Sequence, residues 1–178
     1  MFWESIGLGL LFGWLRKGEI KNLNQLGING WPLIFIALLM QGLVLADFNL
    51  KTAYLSSIYS LLYIGSFILL LAFIYLHRAN KGLPIIGAGI FLNLLVIAAN
   101  GGTMPVEGTS IPSDVFYALA SGEKSPFYSL MNENTKLAFL GDRISLEYRP
   151  NQLLSVGDLV IATGVFFFVQ NGMIGRHG

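Results

Sequence analysis

Two aspartates in the C-terminal third of the chain are of the residue type that acid–base chemistry needs. Asp142 stands in Leu140-Gly-Asp-Arg143, and Asp158 closes Ser155-Val-Gly-Asp158, directly before the apolar run Leu159-Val-Ile161. Two carboxyl groups held close share a proton because both cannot ionise together, and such a dyad activates a water for peptide cleavage. Each aspartate also has a plain structural reading. Asp142 and Arg143 are two adjacent loop charges that neutralise each other or a neighbour. Ser155 and Asp158 have the spacing of a capping box at the start of a helix, whose positive end suits a carboxylate. An ionisable residue at the edge of an apolar run is nevertheless a functional candidate. Spacing along the chain does not bring Asp142 and Asp158 together.

A third motif, Asn100-Gly-Gly-Thr-Met-Pro-Val106, follows an apolar stretch. Gly101 and Gly102 after Asn100, with Pro105 beyond, read as a helix stop. The sharper alternative is a glycine turn whose backbone approaches a ligand. A phosphate does not suit that role, because the C-terminal end of a helix carries the negative end of the dipole. Asn93 and Asn100, seven apart, share one helix face near Gly89, and small residues with amides glue helices together. Gln41, Ser56, Tyr59, Ser60, Tyr63 and Ser66 read the same way. No acid or base falls at the middle of any apolar stretch, which counts against a proton pump or an ion pathway. His77 and His177 are isolated, with His77 and Arg78 reaching towards the membrane surface. With no cysteine in the chain, neither a metal site nor any cofactor is expected.

These residues must be positioned by membrane helices. The chain has 178 residues, 54% hydrophobic and 12% charged, where a soluble domain has about 25% charged. That is too little charge to cover a water-facing surface. A net charge of +1 gives no field for nucleic acid. Five apolar stretches, residues 2–15, 31–46, 54–76, 84–100 and 154–173, are expected to form an all-α polytopic bundle of about five spans in one membrane domain, with four spans clear from length and the first short. Trp3 and Trp14 bracket the first stretch as interfacial anchors. Glu4 precedes that stretch and Arg16-Lys17 follows it, the reverse of a signal peptide, so the segment is expected to stay.

Arg16, Lys17 and Lys21 fall in one linker, Arg78 and Lys81 two linkers later, and Arg176 at the tail. The positive-inside rule makes these parts and the C-terminus cytoplasmic. Residues 101–151 then lie outside. That stretch holds six acids (Glu107, Asp114, Glu123, Glu133, Asp142, Glu147) against four bases. It is also too rich in aromatic and apolar residues, such as Val115, Phe116, Tyr117 and Phe139, to be disordered. Ser110-Ile-Pro112 is expected to start an amphipathic helix in it, and Gly122 to end that helix.

The motifs Gly13-Trp-Leu-Arg-Lys-Gly18, Asn100–Val106, Thr135-Lys-Leu-Ala-Phe-Leu-Gly-Asp142 and Ser155–Asp158, in this order, resemble a bacterial multi-pass membrane family catalogued only as a domain of unknown function. The resemblance implies a plasma-membrane protein and supplies no activity. Asp142-Arg143 and Asp158 also resemble the two aspartate motifs of the lipoprotein signal peptidases, Asn-x-x-Asp-Arg and Phe-Asn-x-Ala-Asp. Here Phe139 replaces the first asparagine and Leu154-Ser155 replaces Phe-Asn.

The leading expectation from sequence is a non-catalytic accessory or structural subunit of a bacterial membrane complex, embedded in lipid beside a membrane-protein partner or a second copy. Its rivals are a membrane aspartyl hydrolase using Asp142 and Asp158, and a small-molecule binding or transport protein with a pocket at Asn93, Asn100 and the glycine turn.

Overall fold

A computed structural model describes residues 1–146 and 149–175; Glu147, Arg176 and His177 of the charge and histidine readings lie outside the described residues. Helices dominate: α1 (Phe2–Leu15), α2 (Trp31–Asn49), α3 (Tyr59–Leu76), α4 (Leu83–Ala99), a short α5 (Ser113–Ala120) and α6 (Val156–Ile174). Pro32 and Pro84 sit in the first turns of α2 and α4, where a missing N–H costs nothing. The stretches Trp31–Asn49, Ser56–Leu76 and Val156–Ile174 are long and apolar enough to cross a membrane. The apolar α1 and α4, with 14 and 17 residues, are about 21 and 25 Å long, short of a hydrocarbon core of about 30 Å.

The expectation of an all-α chain needs correcting in one respect. Between α4 and α6 lie two small sheets: β1 (Met104–Val106) pairs in parallel with β2 (Tyr128–Leu130), and β3 (Ile144–Leu146) pairs antiparallel with β4 (Arg149–Leu154). β1, β2 and β3, of three residues each, are too short for an alternating pattern to be read. The expected amphipathic helix is α5, which begins after Pro112 and is followed by Gly122 at φ +72°.

A second correction concerns Asp47, read as a linker residue. The second helix runs three residues past 46, and Asp47 in its last turn is 7% exposed. Its carboxylate accepts from the Thr52 hydroxyl, the Tyr54 and Leu55 N–H groups at 3.1 and 3.0 Å, and the Tyr59 hydroxyl at 2.8 Å. It thus gathers the donors of the turn leading into α3. His77 likewise does not reach outward: its Nδ1 lies 2.9 Å from Phe73 O, and its Nε2 accepts from Asn29 N–H at 3.1 Å. These bonds tie the α1–α2 linker to the end of α3. Arg78 instead lies over the Tyr75 ring at 4.3 Å.

The helices pack side by side in the order α1, α6, α4, α3, α2. In lipid there is no hydrophobic force between helices, so small residues that admit close backbone approach decide which faces meet. Gly89 and Gly157 do this for α4 and α6: a Cβ on Gly89 would lie 2.5 Å from Gly157 O, and one on Gly157 would lie 2.7 Å from Gly89 O. Seven residues away on each chain segment, Gly82 and Gly164 repeat the arrangement, with a Gly82 Cβ 2.7 Å from Gly164 O. These pairs make α4 and α6 antiparallel and set their offset. The α6 N-terminus meets Asn93, so α4 continues beyond it by seven residues to Asn100, about 10 Å. At the other end α6 overhangs α4. Residues between α4 and α6 fill the first overhang, where Val96, Ile97, Met104 and Leu140 form a buried core.

Candidate active site

The three motifs singled out from sequence converge under this overhang. Asn100 caps α4, and Gly102 N–H donates to Ile97 O at 2.9 Å with Gly101 at φ +70°, which is the Schellman way of ending a helix. Asn100 Nδ2 donates to Lys136 O at 2.8 Å, and its Oδ1 accepts from Lys136 N–H at 2.9 Å. The amide of Asn100 is therefore committed to the segment that carries Asp142. Pro105 is fully buried, and its carbonyl accepts from Asp142 N–H at 2.9 Å. Asp142 O in turn accepts from Glu107 N–H at 2.9 Å, and Arg143 N–H donates to Leu154 O at 3.3 Å. Gly141 is needed here because a Cβ would lie 2.7 Å from Pro105 O. The backbone of Asp142 is thus bonded to the glycine-turn motif, and its neighbour Arg143 to the strand that leads into α6.

Asp158 is fixed from the opposite side. Ser155 Oγ accepts from Asp158 N–H at 2.9 Å, and Asp158 Oδ2 accepts from Ser155 N–H at 3.1 Å, the reciprocal bonds of a capping box. Asn93 on α4 joins them: its Nδ2 donates to Asp158 Oδ1 at 3.0 Å, and its Oδ1 accepts from the Ser155 hydroxyl at 2.8 Å. A carboxylate with two donors at a helix N-terminus is in surroundings that suit a negative charge. The packing of Gly157 against Asn93 is what allows this ring of bonds to close.

Both aspartates line one cavity of about 350 Å³. Val106 and Leu154 stand on its inner walls, Ile111, Val115 and Leu119 come from and around α5, and Phe2 comes from α1. Lys124 and Tyr128 complete the polar lining. Asp142 is 8% exposed, and its Oδ1 is buried without a hydrogen-bond partner among the described residues. Burial, and then the charge of Asp158, push the Asp142 pKa up to about 7. Tyr128 leaves part of its ring exposed, but its phenol pKa is raised, first by burial and then by the charges of Asp142 and Asp158. Arg143 does not neutralise Asp142; it pairs with Glu107 at 3.2 Å.

The raised pKa has a stability consequence with a definite sign. An aspartate that binds its proton more tightly when folded favours the folded state at low pH. That advantage is lost as pH rises from about 4, the unfolded value, to about 7. We expect detergent-purified protein to lose stability over this range by at most about 4 kcal/mol, and Asp142→Asn to remove the loss. Thermal unfolding of both proteins between pH 4 and 8 checks this.

Asn93 was legible as a polar helix-face residue but not as the partner of Asp158, because a contact across 65 residues leaves no local pattern. Lys124 and Tyr128 carried no signal at all: one lies in a turn and the other in a three-residue strand. Among the described residues no group of three His, Asp or Glu side chains is arranged to hold a metal.

Residues 25–170 match the model of a family of unknown function, DUF5317. The chain belongs to the DUF5317 family. The matched region runs from before α2 almost to the end of α6, so Asn93, Asp142, Ser155 and Asp158 of this DUF5317 member all fall within it. No curated protein and no solved structure matches the chain.

Proposed function

We propose that this DUF5317 protein is a membrane-embedded hydrolase that cleaves peptide bonds with Asp142 and Asp158. The observation that carries this reading is that the two carboxyl groups share one cavity in contrasting environments. Asp158 accepts from two donors at a helix N-terminus, whereas Asp142 is buried with an unbonded oxygen and a pKa of about 7. Environments that separate two carboxyl groups in this way assign an acid and a base. Asp158 takes a proton from a water whose oxygen adds to the substrate carbonyl carbon, while Asp142 gives its proton to the carbonyl oxygen. Collapse of the tetrahedral intermediate breaks the C–N bond, the amine leaves with the proton held by Asp158, and one hydroxyl proton of the intermediate returns to Asp142.

The apolar walls suit a substrate with an apolar side chain or lipid anchor beside the scissile bond. We place the site on the outer face of a bacterial cytoplasmic membrane. In that arrangement all five long helices cross the membrane, α1 and α4 by local thinning and interfacial anchoring, and the C-terminus is cytoplasmic. Trp3 and Trp14 at the ends of α1 are 79% and 69% exposed, as membrane-surface anchors are. The basic residues Arg16, Lys17, Lys21, Arg78 and Lys81 collect at one end of the bundle, opposite the aspartates.

The test is incubation of full-length protein in nanodiscs with apolar peptides in ¹⁸O-water. Cleavage with one labelled oxygen in each new carboxyl group is expected, since water supplies the oxygen that adds to the carbonyl carbon. Cleavage without label, or none from a broad peptide pool at any pH between 4 and 8, overturns the reading.

A second reading, an accessory subunit that docks a membrane partner, is favoured by the exposed aromatics of the segment between α4 and α6. Tyr117 and Phe139 are 70% and 60% exposed there, outside the helices that are long enough to cross. Under that reading, extraction in mild detergent retains a partner at fixed stoichiometry, and Tyr117→Ser with Phe139→Ser releases it. Protein that comes away alone counts against it.

A further inference from the structure

At the opposite end of the bundle, where α6 overhangs α4, a second cavity of about 240 Å³ opens between two linkers and the end of α6. Arg16 reaches it from the end of α1 and Lys81 from the α3–α4 turn, 65 residues away in sequence. Asn22, Gln25, Asn80 and Asn171 supply carboxamides, and among the described residues no acid lines the cavity. The nearest acid in sequence, Glu19, is paired with Lys21 at 2.5 Å. Among the described residues neither Arg16 nor Lys81 has an ion-pair partner. Two unpaired cations brought to one concave site repel each other, and an anion relieves that repulsion.

Helix C-terminal carbonyls would oppose an anion at this end, but several near the cavity are already bonded. Phe12, Gly13 and Trp14 O accept from the N–H groups of Arg16, Gly18 and Lys17. Met173 O accepts from Glu19 N–H at 2.8 Å and Asn22 Nδ2 at 2.7 Å. The cavity is smaller than the roughly 300–1,000 Å³ of drug-sized sites, which suits a single headgroup-sized ligand. Trp14 and Leu15, next to Arg16, are exposed apolar side chains beside which an acyl chain can lie. Basic pockets between transmembrane helices are where anionic headgroups bind, and planar guanidinium with ammonium is the donor set phosphate takes.

We propose that this cavity binds a phosphate group, carried on an anionic phospholipid or free in solution. The site is independent of the aspartate pair and of any activity there. Full-length protein in neutral detergent is titrated with phosphatidylglycerol, with phosphatidylcholine and with inorganic phosphate, reading retained lipid by native mass spectrometry and protection by thermal shift. Wild type is compared with Arg16→Gln/Lys81→Gln and with Lys17→Gln/Lys21→Gln, which removes the same charge at the same end outside the cavity. We expect phosphatidylglycerol or phosphate to bind wild type, and the cavity variant to bind about ten-fold or more weakly, as loss of charge-assisted bonds implies. The control variant should keep its affinity. Phosphatidylglycerol binding without phosphate binding assigns a lipid headgroup, and protection by phosphate alone assigns the free anion. Equal weakening in the control, equal retention of phosphatidylcholine, or no binding of either anion overturns the proposal.

Discussion

Asp142→Asn and Asp158→Asn are each expected to lower peptide hydrolysis by about a thousand-fold, within the range of about 10²–10⁴ that positioned acid–base groups contribute. The two variants should part company in stability, which separates chemistry from folding. Asp142 has a buried oxygen without a hydrogen-bond partner and a raised pKa, so a neutral amide there removes a buried charge and should stabilise the protein above pH 7. An inactive protein that unfolds at higher temperature than wild type at pH 8 cannot owe its inactivity to misfolding. Asp158→Asn replaces one of two accepting oxygens with an NH₂ group that must face either Asn93 Nδ2 or Ser155 N–H. A donor facing a donor costs about 1–3 kcal/mol, so this variant should lose both activity and stability. The pH profile of wild type should fall above about pH 7, where Asp142 loses the proton it donates. Turnover that survives in Asp142→Asn would remove Asp142 from the reaction.

The largest structural effect is expected from Gly157→Ala, a change of one uncharged methyl group. The added Cβ falls on Asn93 Oδ1 and lies 2.6 Å from Asn93 Cγ and 2.7 Å from Gly89 O. The carbonyl is helix backbone and cannot move alone, so α4 and α6 must separate or Asn93 must leave its place. Overpacking a tight core costs about 1–3 kcal/mol and occasionally more, and here the ring joining Asn93, Ser155 and Asp158 is lost as well. A stability loss of about 3 kcal/mol or more is expected, read by thermal unfolding in detergent. Gly7→Ala, where nothing lies within 4 Å of the added carbon, is the matched control. Equal stability of the two variants would mean that α4 and α6 do not approach as described.

Much of the helical frame was legible because lipid imposes a simple requirement. A segment in a bilayer must satisfy its own backbone and present apolar side chains, and both appear as long apolar runs. The apolar runs at residues 2–15 and 84–100 match α1 and α4 to within one residue. The end of α2 was misplaced because a charged residue, Asp47, continues the helix, and its buried hydrogen bonds come from residues further on. The parallel pair between α4 and α6 was missed because β1 finds its partner β2 across 24 residues, too far for any periodicity to record.

By itself the sequence determined the long apolar helices able to cross a membrane, the amphipathic α5 and the identity of the residues able to do chemistry, because these depend on composition and local spacing. The tertiary structure decided which of them meet. Gly89 with Gly157 and Gly82 with Gly164 set the offset of α4 and α6, and that offset creates an overhang at each end. Under one, Pro105 and the α6 N-terminus bring Asp142 and Asp158 to a common cavity; under the other, Arg16 joins Lys81. Contacts of that kind depend on backbones approaching closely in space, and a glycine in a sequence does not say which backbone it admits.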